Sequence, residues 1–301
     1  MILIRNDFTS PAMSLAAEEF VLENFVSGDY MMLWQSPPSV ITGKFQNIYE
    51  EVAVGECLRR GVGVYRRNSG GGTVYHDGGN VNFTFYADRC DVCSEYTRFL
   101  FPVIRALCAM GIPAEEGMAY DIVIDGKKVS GNAQSVHKNR VMHHGTLLFD
   151  VNLGALSSLT GHARENIKSK SIKSRPSPVA NMKTYLPGTS SAEFRRLLTD
   201  ELKDIFCCNT EYAFTANEME AIASLAERKY SSWEWNYGRS PYFELSDGEF
   251  TLESKGGEVL SSSLYPERLI GVRLMPKNIR DALTGYASDD EIDRINAALF
   301  G

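Results

Sequence analysis

This chain of 301 residues has no apolar run near the roughly 20 residues that a membrane-crossing helix needs. Its N-terminus lacks the charged, apolar, small-residue order of a secretory leader. A soluble, cytoplasmic protein is the expectation. Positive charge is not in excess. The 31 Lys and Arg stand against 38 Asp and Glu, for a net charge of −7 and a pI near 5.4. A general nucleic-acid-binding surface is therefore not expected. Cysteine is sparse, with six residues at 57, 90, 93, 108, 207 and 208. Cys90-Asp-Val-Cys93 is a single C-x-x-C with no second pair and no nearby histidine, whereas zinc needs four ligands. Free thiols in a reducing compartment are the simpler reading. Internal repeats and low-complexity segments are also missing.

What is there can bury a large core: 44% of residues are hydrophobic and 23% charged. The chain centres on residues 64–85, Val-Tyr-Arg-Arg-Asn-Ser-Gly-Gly-Gly-Thr-Val-Tyr-His-Asp-Gly-Gly-Asn-Val-Asn-Phe-Thr-Phe. Gly70, Gly71 and Gly72 let the backbone take unusual angles and approach a ligand closely. Freed N–H groups in such a loop attract anions, and Arg66 or Arg67 can add bidentate charge. Val81, Phe83 and Phe85 alternate with polar residues, which predicts a strand with one apolar face. A phosphate-binding P-loop would need a Gly-Lys-Ser/Thr end and a following helix, and neither is present.

Around this loop the pattern predicts further elements. Ser10-Pro11 opens a helix, Ser as cap and Pro in the first turn. Strands are expected at 31–34 and 40–42, then a polar loop at 43–47 and a helix at 52–60. A helix at 95–110 contains Pro102. Residues 120–124 form a strand that turns at Asp125-Gly126, a strong hairpin signal. The return strand carries Lys128 and Ser130 on one face, with Gly131 and Ala133 beyond, as where a ligand comes close. A strand at 141–151 holds His143 and His144. With His76 they suggest three histidines sharing a cleft. Residues 168–183 are basic and proline-containing, which suits either a mobile surface loop or a flap closing over a nucleotide. Capping boxes start helices at Ser190, Thr215 and Ser288. Short strands are expected near 250–252, 258–262 and 269–274, with two helices after them. A domain boundary falls near Glu244, giving a domain of residues 1–244 and a small unit of 245–301.

The run from Arg66 to Asn80 resembles the signature loop of lipoate–protein ligases. The likeness continues in the Ser-Leu-Ala-Ala-Glu-Glu helix, residues 43–47, 126–133, His-His-Gly-Thr-Leu-Leu at 143–148, and 232–238. It covers most of residues 1–244 and, more weakly, the rest. The resemblance implies an α+β fold shared with biotin protein ligases: a mixed β-sheet flanked by helices, then a small α+β C-terminal domain. It implies two steps. Lipoate and ATP give lipoyl-AMP, and the acyl group then passes to a lysine of an acceptor, a dehydrogenase E2 lipoyl domain or a glycine-cleavage H protein. By the same resemblance Arg67, Ser69, Gly70, Gly71, Gly72, Thr73, Val74 and Tyr75 hold the adenylate. Lys128 is the catalytic cation, with Gly131 beside it. His76, Asn80 and His144 line the acyl end or orient loops. Mg²⁺ bridges the phosphates, with Asp121 a candidate ligand. Two departures stand out. Asn68 occupies a place where the family often has arginine. Pro176 and Pro178 replace the Arg-x-Arg of the flap. A related acyltransferase would need a catalytic cysteine shortly before 120–124, where this chain has none. A non-catalytic lipoate-binding protein is the other alternative, and lipoate against octanoate stays open.

Overall fold

A computed structural model describes residues 1–89, 95–160, 164 and 166–301. The Cys90-x-x-Cys93 pair lies outside the described residues. The fold is α+β, with a mixed six-stranded sheet at its centre. Its strands run in the order Asn132–His137, Arg140–Leu148, Asn80–Asp88, Tyr30–Trp34, Ile2–Ile4, Glu211–Tyr212. The first four pair antiparallel and the last two join in parallel.

The two nine-residue strands Asn80–Asp88 and Arg140–Leu148 decide where the site lies. Alternation sends Val81, Phe83, Phe85, Val141 and Leu147 to one face, against helices Glu95–Ala109 and Ser191–Ile205. The register Asn82↔Thr146 and Thr84↔His144 lines up a polar row on the other face. Helix Pro11–Asn24 covers part of that row. This helix is buried nearly all round, including Glu18 and Glu19.

Three smaller sheets surround the centre. Strands Gly63–Arg66, Ser39–Thr42 and Val74–His76 form one, and Glu115–Glu116, Ile122–Ile124 and Lys127–Ser130 another. The hairpin at Asp125-Gly126 is present, with both residues at positive φ. The fourth is antiparallel: Ile167–Ser169, Phe243–Ser246, Thr251–Lys255, Glu258–Ser262. Strand Phe243–Ser246 runs across residue 244 and pairs with a strand from well before it. One apolar cluster holds Tyr49, Val54, Tyr75 and Leu148 together with Phe243, Leu274, Ile292 and Phe300.

Some expected elements differ. The helix predicted at 52–60 is two short ones, Ile48–Glu51 and Val54–Arg59, because Val52 is extended and bridges Thr160. Residues 269–274 are not a strand. Pro266 opens a helix, Pro266–Leu269, and Gly271 at φ 81° turns the chain after it. The helix starts fall where expected, and Ser190, Thr215 and Ser288 each accept the backbone N–H three residues on, but only Thr215 and Glu218 close a full capping box. No helix among the described residues is long and apolar enough to cross a membrane.

Candidate functional site

The glycine-rich loop is held from beneath by Arg67. Its guanidinium donates to the carbonyls of Ile41 (3.2 Å), Gly70 (2.5 Å) and Gly72 (2.8 Å) and to Ser69 Oγ (3.0 Å). Burial pulls its pKa down to about 10, so it stays charged at neutral pH. Gly71 sits at φ 86°, where a side chain is disfavoured. Gly43 packs so closely that a Cβ there would lie 2.1 Å from the Gly71 carbonyl oxygen. Arg66 does a different job. It is fully buried, and its guanidinium donates to carbonyls of Gly43 (3.0 Å), Gln46 (2.7 Å), Trp235 (3.1 Å) and Asn236 (3.0 and 3.1 Å). It ties the polar loop and the Trp233–Asn236 helix to the glycine loop, and it is unavailable to a ligand.

Above the loop lies a cavity of about 770 Å³. Gly71, Gly72, Thr73, Val74, Tyr75 and His76 form one wall. Lys128, Gly131 and Asp121 face them. Leu15, Trp34, Ile41 and Leu148 supply apolar surface, and the polar row of the sheet gives Asn82, His144 and Thr146. Residues 172–177 and Val179 close the remaining side. The Lys128 ammonium is about one-third exposed and stands 3.5 Å from the Asp121 carboxylate.

Ten of the thirteen residues singled out from sequence reach the wall; Ser69, Gly70 and Asn80 stand behind it. Ser69 Oγ is 2.6 Å from His144 Nε2. The Gly70 carbonyl accepts from Arg67. Asn80 donates to Asn82 Oδ1 at 3.0 Å. The three histidines do not share a cleft. His76 and His144 face the cavity, but His143 points to the opposite face of the sheet, stacked on Phe99 with centroids 5.1 Å apart. Burial pulls both His76 and His143 down to about 3, with the neighbouring charge of Arg67 adding to the effect on His76, so both are neutral at physiological pH.

Sequence reasoning missed Glu18. Its carboxylate is buried and accepts from Thr84 Oγ1 (2.5 Å) and from His144 Nδ1 (3.0 and 3.1 Å). A carboxylate only accepts, so His144 carries its proton on Nδ1 and turns Nε2 toward Ser69. The available signal was an acidic pair inside an otherwise apolar helix. Gln46 and Ser174 lie in segments the sequence reading did flag, the 43–47 loop and the 168–183 flap, but were given no role of their own. Gln46 Oε1 accepts from Gly43 N and Thr73 Oγ1, both at 2.9 Å.

The family model for the lipoyl protein ligase A/B catalytic domain matches residues 10–203. A lipoate-protein ligase of Bacillus subtilis is 37% identical over 282 residues, spanning 88% of this chain and 84% of the relative. A solved lipoate-protein ligase A bound with ATP is 26% identical, with TM-score 0.68, over 79% of this chain and 98% of that one. A bi-partite lipoate protein ligase of Thermoplasma acidophilum, described with its E2 lipoyl domain, is 27% identical, with TM-score 0.68, over 79% and 96% of the two chains.

Proposed function

The chain belongs to the lipoyl protein ligase A/B family, and we propose that its cavity joins lipoate to ATP and then hands the lipoyl group to a lysine of a lipoyl-domain protein. One observation carries the assignment of roles. Lys128 faces the glycine loop across a single cavity that also offers an apolar recess. A volume near 770 Å³ suits a small-molecule site.

In the first step a lipoate carboxylate oxygen attacks the α-phosphorus, and the bond to the bridging oxygen breaks, releasing pyrophosphate. Lys128 stands between carboxylate and phosphate, a fixed cation where negative charge builds. The backbone of Gly71 to Tyr75 holds the adenylate, with Arg67, on the same cavity wall, bracing the loop through its carbonyls. In the second step the neutral amine of the acceptor lysine attacks the acyl carbon. The bond to phosphate oxygen breaks, AMP leaves, and the amine proton passes to water. Lys128 again offsets the charge on the leaving phosphate. Leu15, Trp34, Ile41 and His76, kept neutral by burial, suit the apolar acyl chain.

No group of three or more His, Cys, Asp or Glu among the described residues could hold a metal by itself. Asp121, on the cavity wall 3.5 Å from the Lys128 ammonium, is the carboxylate that would hold Mg²⁺ carried on nucleotide phosphates. Bound there, the ion would neutralise phosphate charge as pyrophosphate departs. ATP as substrate agrees with the cytoplasmic location read from the sequence, and either an E2 lipoyl domain or an H protein would serve as acceptor.

The test is ATP–pyrophosphate exchange with and without lipoate. Exchange that requires lipoate is expected. A folded protein that gives none would remove the ligase reading.

A further inference from the structure

Two consecutive carboxylates, Glu50 and Glu51, sit on the short helix Ile48–Glu51, which is capped by Asn47. Both are buried, at 0% and 3% exposure. Buried carboxylates need partners. Here the partners come from one distant segment, residues 169–174. Ser169 Oγ and Ser171 Oγ donate to Glu50 Oε2 at 2.6 and 2.8 Å. The Lys173 ammonium lies 2.8 Å from Glu50 Oε1. The backbone N–H of Ser174 donates to both Glu51 oxygens, at 3.1 and 3.3 Å.

Ser174, held this way, joins the strap to the glycine loop. Its Oγ accepts from Thr73 N at 2.9 Å and from Gln46 Nε2 at 3.0 Å. The far end of the strap is tied to the catalytic strand. Lys128 N donates to the Pro178 carbonyl at 2.8 Å, and Ala180 N donates to the Lys128 carbonyl at 3.0 Å. Arg175, Pro176 and Ser177 lie between the two anchors and line the cavity.

We propose that Glu50 and Glu51 are positioning residues. They latch the 168–178 strap so that Ser174 and Arg175 meet the nucleotide while Lys128 is held at the opposite end. This rests on the reading of the cavity as an adenylation site. The strap carries Lys168, Lys170, Lys173 and Arg175, and of these Lys173 and Arg175 line the cavity with Arg67 and Lys128. Unlatched, like charge drives it away from the cavity. Latched, Glu50 neutralises Lys173, and Arg175 is left for phosphate. The latch thus does for this chain what the strap's prolines cannot.

The test compares the full chain with Glu50→Ala, Glu51→Ala and Glu51→Gln. Two readouts are taken: trypsin cleavage after Lys168, Lys170 and Lys173, and the separate kcat and KM for ATP in lipoate-dependent exchange. Both alanine variants should be cut about ten- to a hundredfold faster, the size of one or two charge-assisted hydrogen bonds. Their KM for ATP should rise by a similar factor, with kcat changed less. Glu51→Gln keeps an acceptor for Ser174 N–H and should restore both values to near wild type. Unchanged cleavage in variants with a normal thermal transition would overturn the latch. Fast cleavage with unchanged KM would overturn its role in positioning. Should the unmodified chain show no exchange, the ligase reading fails, while cleavage still decides the latch. Where an alanine variant fails to fold, the double variant Ser169→Ala/Ser171→Ala, which removes the two hydroxyl donors to Glu50 from the strap's side, takes its place and the same outcomes apply.

Discussion

Arg66 and Arg67 are neighbours in sequence with different fates, and alternation is the cause. Arg66 ends strand Gly63–Arg66 and turns into a shell of carbonyls, whereas Arg67 turns under the glycine loop. The sequence announces two cations beside an anion loop but not which faces the ligand, because that depends on a strand face set by distant packing. His143 and His144 pose the same problem on strand Arg140–Leu148. Lys128 and Arg66 should therefore separate stability from chemistry. Arg66→Met leaves buried carbonyls unpaired and is expected to cost about 3 kcal/mol in denaturant unfolding. Lys128→Ala removes a partly exposed cation with one loose ion pair, so its stability should stay within about 0.5 kcal/mol. Its lipoate-dependent exchange should fall about 10²–10³-fold. Normal exchange in folded Lys128→Ala would take Lys128 out of the mechanism. His76 gives a pH prediction. Its folded pKa is about 3, below the 6.5 of an unperturbed histidine, so the unfolded chain binds the extra proton between those values. The stability involved is fully present above pH 6.5 and lost as pH falls toward 3. Neither ring nitrogen has a hydrogen-bond partner among the described residues, so His76→Phe sacrifices no bond. Its unfolding free energy between pH 6 and 4 should decline less steeply, by up to about 1.4 kcal/mol per pH unit. Parallel curves for the two proteins would show that His76 does not titrate on unfolding.

At the scale of elements, the strands and capped helices were legible because each depends on local chemistry. A period of two gave Asn80–Asp88, an Asp-Gly pair gave the hairpin before Lys128, and three Ser or Thr caps gave three helix starts. The first helix was legible as a helix but not as a carrier of function. It is enclosed on both sides, so its acidic residues divide between two buried networks. Glu18 meets His144 and Thr84. Glu19 meets Lys229 at 2.5 and 2.7 Å, Tyr230 at 2.7 Å and Asn68 at 3.2 Å. A π-helical turn, Ala226–Tyr230, brings the consecutive Lys229 and Tyr230 to the same carboxylate. Lys229 so supplies a cation close to Asn68, where the resemblance would place arginine. The acidic pair in an otherwise apolar helix marks the position, but nothing in residues 1–24 names the partners, which are far along the chain. The glycine loop permits a sharper test. In Gly43→Ala the new Cβ would stand 2.1 Å from the Gly71 carbonyl, a backbone atom that cannot swing away, so the loop must move. Loss of exchange with an intact thermal transition is expected. Gly61→Ala is the control. Gly61 has φ 66° and no heavy atom within 4 Å of the added methyl, so the cost is backbone strain of about 1 kcal/mol and activity should persist. Equal activity in the two variants would mean that the Gly43 contact does not shape the site. Cysteine chemistry can be checked alongside. None of the described cysteines lines the cavity, and burial pushes the Cys57 thiol up to about 11. Replacing all six cysteines by Ser or Ala should leave acyl transfer intact, whereas a trapped acyl thioester would place the protein among the acyltransferases.

For the whole molecule, the question is what residues 245–301 contribute. Composition suggested a separate small unit, and we propose that it acts as an accessory to activation. The packing says how. The apolar cluster under the central sheet is built from residues between Leu3 and Cys208, with nothing from the C-terminal part. The second cluster, by contrast, joins Tyr49, Val52 and Val54 to Phe243, Leu274, Ile292 and Phe300. Tyr49 Oη also donates to the Leu274 carbonyl at 2.9 Å. Tyr49 immediately precedes Glu50 and Glu51. Strand Phe243–Ser246 pairs with Ile167–Ser169, from which the 168–178 strap springs. Both roots of the strap's latch thus lean on the C-terminal part, whereas the central sheet meets that cluster only through Leu148 at the end of the His144 strand, and the Lys128 strand contributes no residue to it. Such coupling was hidden in the sequence because it links residues about 120 and 75 positions apart through a sheet that straddles the apparent boundary. A chain ending at residue 242 should keep its central sheet, read as retained far-UV circular dichroism, yet lose the latch. Lipoylation from lipoate and ATP should then fall at least tenfold more than transfer from supplied lipoyl-AMP, which already carries the activated bond. Adding residues 243–301 as a separate chain should recover activation by restoring the missing strands. Equal loss in both assays from a folded fragment would mean that the C-terminal part has no particular bearing on activation. Full retention of both would mean that neither the strap's root nor the shared apolar cluster is needed to assemble the site.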